Sequence, residues 1–122
     1  MIRPLRESDI EKYLVKRVKE LGGEVRKVQW LGRTGAPDRL VMINGDDKAY
    51  GVLLDYGLDD ISRTQAARLA REIVAAYLAW PELKAPGKKA EPHQAREHER
   101  MRKMGQRVVV IDSYEGVDAL FN

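Results

Sequence analysis

Apolar residues at Ile10, Leu14, Val18 and Leu21 recur every three to four positions, which predicts a helix over residues 8–21. Ser8 and Glu11 have capping-box spacing at its start. Gly22-Gly23 would end it, because glycine accepts the left-handed conformation of a helix stop. The period then shortens. EVRKVQW (24–30) reads as a short strand, LGRTGAP (31–37) as a glycine-bearing loop and DRLVMI (38–43) as a second strand. NGDD is a turn signal, so KAYGVLLDY (48–56) reads as the returning strand of a hairpin.

From Asp60 to about Leu78 the pattern is helical again, with Ile61, Leu69, Ile73, Tyr77 and Trp80 near one face and alanines filling much of the rest. Trp80 to Ala85 can form a short strand. Pro92 suits the first turn of a further helix, which runs through HQAREHERMRKM and stops at Gly105. RVVVID is apolar on both faces and reads as a buried, central strand. SYEGVDALF closes the chain as a short helix. This order predicts a mixed α/β layer structure, one domain over residues 1–122, without internal repeat or linker.

The chain of 122 residues is 43% hydrophobic and 34% charged, within the range of a water-soluble domain with one core. It has no cysteine, which excludes disulfides and thiolate metal sites. The N-terminus shows no signal peptide, and the apolar-rich run from Ala66 to Trp80 is too short for a bilayer and interrupted by Arg68, Arg71 and Glu72. The expectation is a cytoplasmic protein without a membrane partner. Net charge is only +3, but residues 84–103 carry seven basic side chains against three acidic ones, a segment suited to a phosphate-rich partner or to a solvated helix face.

Within PELKAPGKK (81–89), an extended backbone would project Glu82 and Lys84 from one face. Asp38 begins a separate strand. Two carboxylates from neighbouring strands can hold Mg²⁺, a hard cation that keeps several waters, and a nearby lysine can orient or deprotonate a water attacking a phosphodiester. His93 and His98, five apart, share no helical face and read as surface residues. Tyr56, Tyr77 and Trp80 read as packing residues.

PD at 37–38 and ELK at 82–84 match the signature of PD-(D/E)XK nucleases. RTGAPDRLV (33–41), ELKAPGKK (82–89), PHQAREHERMRKMG (92–105), VVVIDS (108–113) and ESDIEKYLVKRVKELGG (7–23), in that order, make the chain resemble the VRR-NUC branch, found in small phage and bacterial proteins. The resemblance implies a restriction-endonuclease-like fold, a central mixed sheet flanked by helices, and Mg²⁺- or Mn²⁺-dependent cleavage of DNA. It implies Asp38 and Glu82 as metal ligands with the Leu83 carbonyl as a third, Lys84 as catalytic lysine, and Gln94 positioning water or substrate. Glu11 would complete the acidic cluster, unless it only caps its helix; Glu7 is the alternative carboxylate. Arg33, Arg39, Lys88, Lys89, Arg96 and Arg100 are candidate phosphate contacts.

The sequence departs from that family in two places. Residues 49–79, with their alanine-rich helix, are an insertion between the PD and ExK strands. Pro81 cannot donate to a ladder, so its strand is expected to be short, at an edge, or bulged. Asp55 could compete for the metal. The inserted helix suggests a homodimer, whose two sites could act on branched DNA such as four-way junctions. The alternatives are a catalytically impaired DNA-binding module and a dimeric interaction protein without enzymatic activity.

Overall fold

The computed structural model describes residues 3–57 and 59–122. The elements are α1 (Glu7–Glu20), β1 (Glu24–Lys27), β2 (Arg39–Met42), α2 (Asp46–Tyr56), α3 (Arg63–Tyr77), β3 (Leu78–Leu83), α4 (Pro92–Lys103), β4 (Val108–Ile111) and α5 (Tyr114–Asp118). A single 3₁₀ turn, Ala119–Phe121, follows α5. The strands form one mixed sheet in the order β1-β2-β3-β4, antiparallel except for the β3/β4 pair. Helices flank it, as the sequence leads one to expect.

The core lies between one face of the sheet and α1 with α5. Ile10, Leu14 and Val18 of α1 meet Val41, Ala79, Leu83, Ile111, Val117 and Leu120 there. Strand alternation turns Ala79, Pro81 and Leu83 toward that core and Trp80, Glu82 and Lys84 to the opposite face. α4 covers the second face with Met101 and His98 buried.

Five expectations are corrected. KAYGVLLDY is helix α2, not a strand, because the edge of β2 it would need is occupied by β3. Asp46 and Asp47 open α2, where the N-terminal partial charge favours carboxylates, so NGDD is a helix entry. The cap of α1 is not Ser8 with Glu11. Ser8 already lies inside the helix, and the Asp9 carboxylate accepts from the Arg6 N–H at 2.9 Å and from the Arg3 guanidinium. β4 is an edge strand rather than a central one. Its valines reflect helices on both faces of the sheet, which says nothing about whether both edges are paired. Finally, Pro81 sits buried within a six-residue interior strand, neither short nor at an edge.

The loop between β1 and β2 is pinned to α4. Gly35 has φ +87°, and a Cβ there would lie 2.8 Å from the His93 carbonyl oxygen. No helix among the described residues is long and apolar enough to cross a membrane. Gly35→Ala is expected to lower folding stability by about 1–3 kcal/mol, through strained backbone and a clash that cannot relax without moving α4. Urea unfolding measures it; an unchanged midpoint would show that the loop is not clamped there.

Candidate active site

The second face of β3 and the inner side of α4 meet in successive rungs. Lys84 Nζ donates to Gln94 Oε1 at 2.8 Å. One step down the strand, the Glu82 Oε1 and His98 Nε2 atoms are 3.1 Å apart. Another step down, Trp80 packs beside Met101 and its Nε1 donates to Gln106 Oε1 at 3.1 Å. The pairing works because two strand residues advance about 6.6 Å and four helical residues about 6.0 Å, so Gln94 and His98 track Lys84 and Glu82.

Asp38 arrives from β2. The antiparallel register pairs Met42 with Leu78 and Val41 with Ala79. Continued three residues, the same register would bring Asp38, just before β2, opposite Glu82 on the α4 face. The ladder itself stops at Ala79. N–H groups of a strand alternate sides; those of Trp80 and Lys84 point to the β4 side, onto the Arg107 and Ile111 carbonyls. The nitrogen of residue 81 therefore faces β2, and in proline it carries no hydrogen. No β2–β3 pair among the described residues lies beyond Ala79, and the Leu83 carbonyl, by the same alternation, points to the β2 side of its strand.

Glu82 is largely shielded from water, and burial pushes its carboxyl above the ordinary carboxylate range. The His98 hydrogen bond and the Lys84 charge act the other way, while nearby Asp38 adds to the upward shift. Asp38 is 63% exposed at its side chain and pairs with Arg39 at 2.9 Å. Arg39 also meets Glu11 at 2.7 Å, so the carboxylate of α1 reaches this cluster through a guanidinium. That pairing is what Glu11 does in place of capping. Arg39 itself, a candidate for phosphate, is engaged by two carboxylates.

The remaining candidates are spread around the rim. Arg33 and Arg100 both hold the buried Glu97, each at 3.1 Å. Lys88, Lys89 and Arg96 are exposed, and the turn carrying the two lysines is held by the Gly87 N–H on Asp112 at 3.0 Å. Asp55 is exposed on α2, and Glu7 is exposed in the first turn of α1. His93 is exposed as expected. His98 is not: it is 1% exposed and bonded to Glu82. The signal for it was Gln94, four residues earlier on the same helical face; comparison with His93 hid it.

Among the described residues no three His, Cys, Asp or Glu side chains form a metal cluster. The donors the sequence nominates, Asp38, Glu82 and the Leu83 carbonyl, are all oxygens, and Asp38 lies close enough to Glu82 to raise its carboxyl. That all-oxygen set fits a hard divalent cation which retains water in its remaining positions.

No family model matches the chain. It is 34% identical over 115 residues to "Putative nuclease p44" of Acyrthosiphon pisum secondary endosymbiont phage 1, covering 93% of this chain and 90% of that protein. A solved structure described as a VRR_NUC domain superposes with a TM-score of 0.61 at 35% identity, covering 93% of this chain and 91% of the other.

A carboxyl raised by burial favours the folded state fully below its unfolded titration range and loses that contribution as pH rises through the folded value. Ionised Glu82 is thus a cost to the metal-free protein at neutral pH. In EDTA, Glu82→Gln is expected to unfold at a higher temperature than the wild type at pH 7, with the gap closing toward pH 4. A variant equal to or below the wild type at pH 7 would show that burial is not the dominant influence on this carboxyl.

Proposed function

The chain belongs to the VRR-NUC family of nucleases, and from that premise we propose that it is a Mg²⁺- or Mn²⁺-dependent DNA endonuclease. The observation that carries the reading is the register. Extended three residues past its last pair, Val41 with Ala79, it would bring Asp38 opposite Glu82, with Lys84 on the same face of β3 as Glu82.

In this reading Asp38, Glu82 and the Leu83 carbonyl would hold the cation. When bound, it stabilises charge on the phosphoryl oxygens and lowers the pKa of its water. The work of the protein is positional. His98 engages Glu82 Oε1, so in this reading Oε2 would serve the cation. Gln94 Oε1 accepts from both Lys84 Nζ and the Glu91 N–H, each at 2.8 Å, so the cap of α4 aims the lysine. Among the described residues no hydrogen bond engages its amide NH₂, which can donate to a water or a phosphate oxygen. Lys84 then orients the attacking water, takes its proton, or offsets charge as the phosphorus–oxygen bond breaks. Lys88, Lys89 and Arg96 contribute the exposed charge that attracts the DNA backbone.

The helical pair α2–α3 supports a homodimer. Tyr50 is 66% exposed and Leu54 64% exposed, and the alanines of α3 at positions 66, 67 and 70 allow close approach of a second helix. Two sites in one particle suit branched DNA, four-way junctions included.

Lys84→Ala is expected to reduce cleavage about 10²–10⁴-fold with DNA affinity retained, and Asp38→Asn or EDTA to abolish it. Gel assays on linear, flapped and four-way-junction DNA measure this. Cleavage that persists in EDTA overturns the mechanism, and metal-independent binding without any cleavage assigns the chain to the impaired class. Light scattering at micromolar concentration should give twice the 13.9 kDa chain mass; a monomer rejects the dimer.

A further inference from the structure

The strand face that carries Glu82 and Lys84 continues to Trp80, and there it opens into a second cavity of about 370 Å³. Its walls are aromatic and sulfur-bearing. Trp30 and Trp80 meet with ring centroids 5.3 Å apart at 50°, and Met101 and Met104 line the helical side. Each indole N–H is already satisfied: Trp30 on the Pro37 carbonyl at 2.8 Å, Trp80 on Gln106. The polar edges are thus consumed within the protein, and what faces the cavity is π surface and thioether. Met104 is 80% exposed and Trp30 37% exposed, a poor arrangement for side chains whose only task is packing.

The rim is cationic. Arg33 and Arg100 share one carboxylate, Glu97, and Lys103 adds a third positive charge. Trp30 and Arg33 also line a cavity together with Asp38, so the aromatic cavity adjoins one of the two carboxylates. Along β3, Trp80 precedes Glu82 by two residues, about 6.6 Å. That is within the reach of one nucleotide beside a phosphate that a cation at Asp38 and Glu82 would hold.

Resting on the nuclease reading, we propose that this cavity receives an unpaired nucleobase flanking the scissile phosphate, stacked against the Trp30–Trp80 pair with its own phosphate on Arg33, Arg100 or Lys103. Every base has an apolar π face, so such a site selects for an unpaired nucleotide rather than for sequence. A base must leave its stack to enter, which costs least where the DNA is already single-stranded or mismatched. Discrimination between duplex and interrupted DNA then arises within a single chain, at one side of its cleavage centre.

The test uses fluorescein-labelled single-stranded 12-mer DNA bound to the full chain in EDTA, read by anisotropy and tryptophan quenching. An abasic position is walked along the strand. One or two adjacent abasic positions should weaken wild-type binding roughly 5- to 150-fold. In Trp30→Ala the profile should flatten to that weaker level, while Trp30→Phe keeps most of the contrast. Met104→Glu, at an exposed position that folding does not depend on, should weaken binding similarly and covers the case in which Trp30→Ala fails to fold. A flat abasic profile in the wild type, or variants that bind as tightly as the wild type, overturns the proposal even when Lys84-dependent cleavage stands. An abasic profile that stands without any metal-dependent cleavage keeps the base site and removes the nuclease reading. If Trp30→Ala instead converts a dimer to a monomer with DNA affinity unchanged, the surface belongs to a second copy of the chain and the proposal fails.

Discussion

The arrangement depends on the seating of α4 along β3. Helix and strand advance at different rates per residue, yet four residues of one nearly equal two of the other, so contacts repeat with little accumulated mismatch. Gln94 on Lys84 and His98 on Glu82 are consecutive teeth of that match. Since strand side chains alternate, a slip of one residue would put Pro81 and Leu83 under α4 and turn both charged groups into the apolar core. The buried histidine–carboxylate contact makes that slip expensive, because either partner left alone would be a desolvated polar group without a hydrogen bond.

The same helix governs what approaches from β2. Gly35 lets the loop before Asp38 touch the backbone of α4 at His93, and Arg33 reaches Glu97 one turn further on. Loop, strand and helix are therefore referenced to one another rather than each to solvent. Within this frame Pro81 acts by omission. A residue with an N–H could extend the ladder toward Asp38 and Glu82; proline withholds that donor, and the pairing ends at Val41 and Ala79.

Much of this was legible because it is local. Glu82 and Lys84 share a face by strand alternation, and the helix opening at Pro92 with Gln94 on it follows from spacing alone. Glu11 was legible as a residue near the cluster but not as a partner of Arg39, since nothing in α1 announces which guanidinium from another strand will arrive. α2 was misread for a related reason: its apolar residues suit either period, and only the occupation of the β2 edge by β3 decides against a strand. The apolar run of β4 reports helices on both faces of the sheet, with Val108 and Ile111 buried and Val110 exposed, and an edge strand can have that as well as a central one. His98 required the question of which residue lies four positions before it, and Pro81 required knowing that its nitrogen points at β2.

The chain leaves β2 at Met42 and resumes β3 at Leu78, directly across the ladder, and Ile43 and Tyr77 are joined by a backbone hydrogen bond at 2.8 Å. The helices α2 and α3 therefore form a closed excursion with a fixed base. Their length can change at little entropic cost, since loop closure depends only weakly on the number of residues enclosed. Residues 43–77 are a place where the molecule can gain, lose or exchange an attachment while Asp38 and Glu82, at the other end of the same two strands, keep their separation.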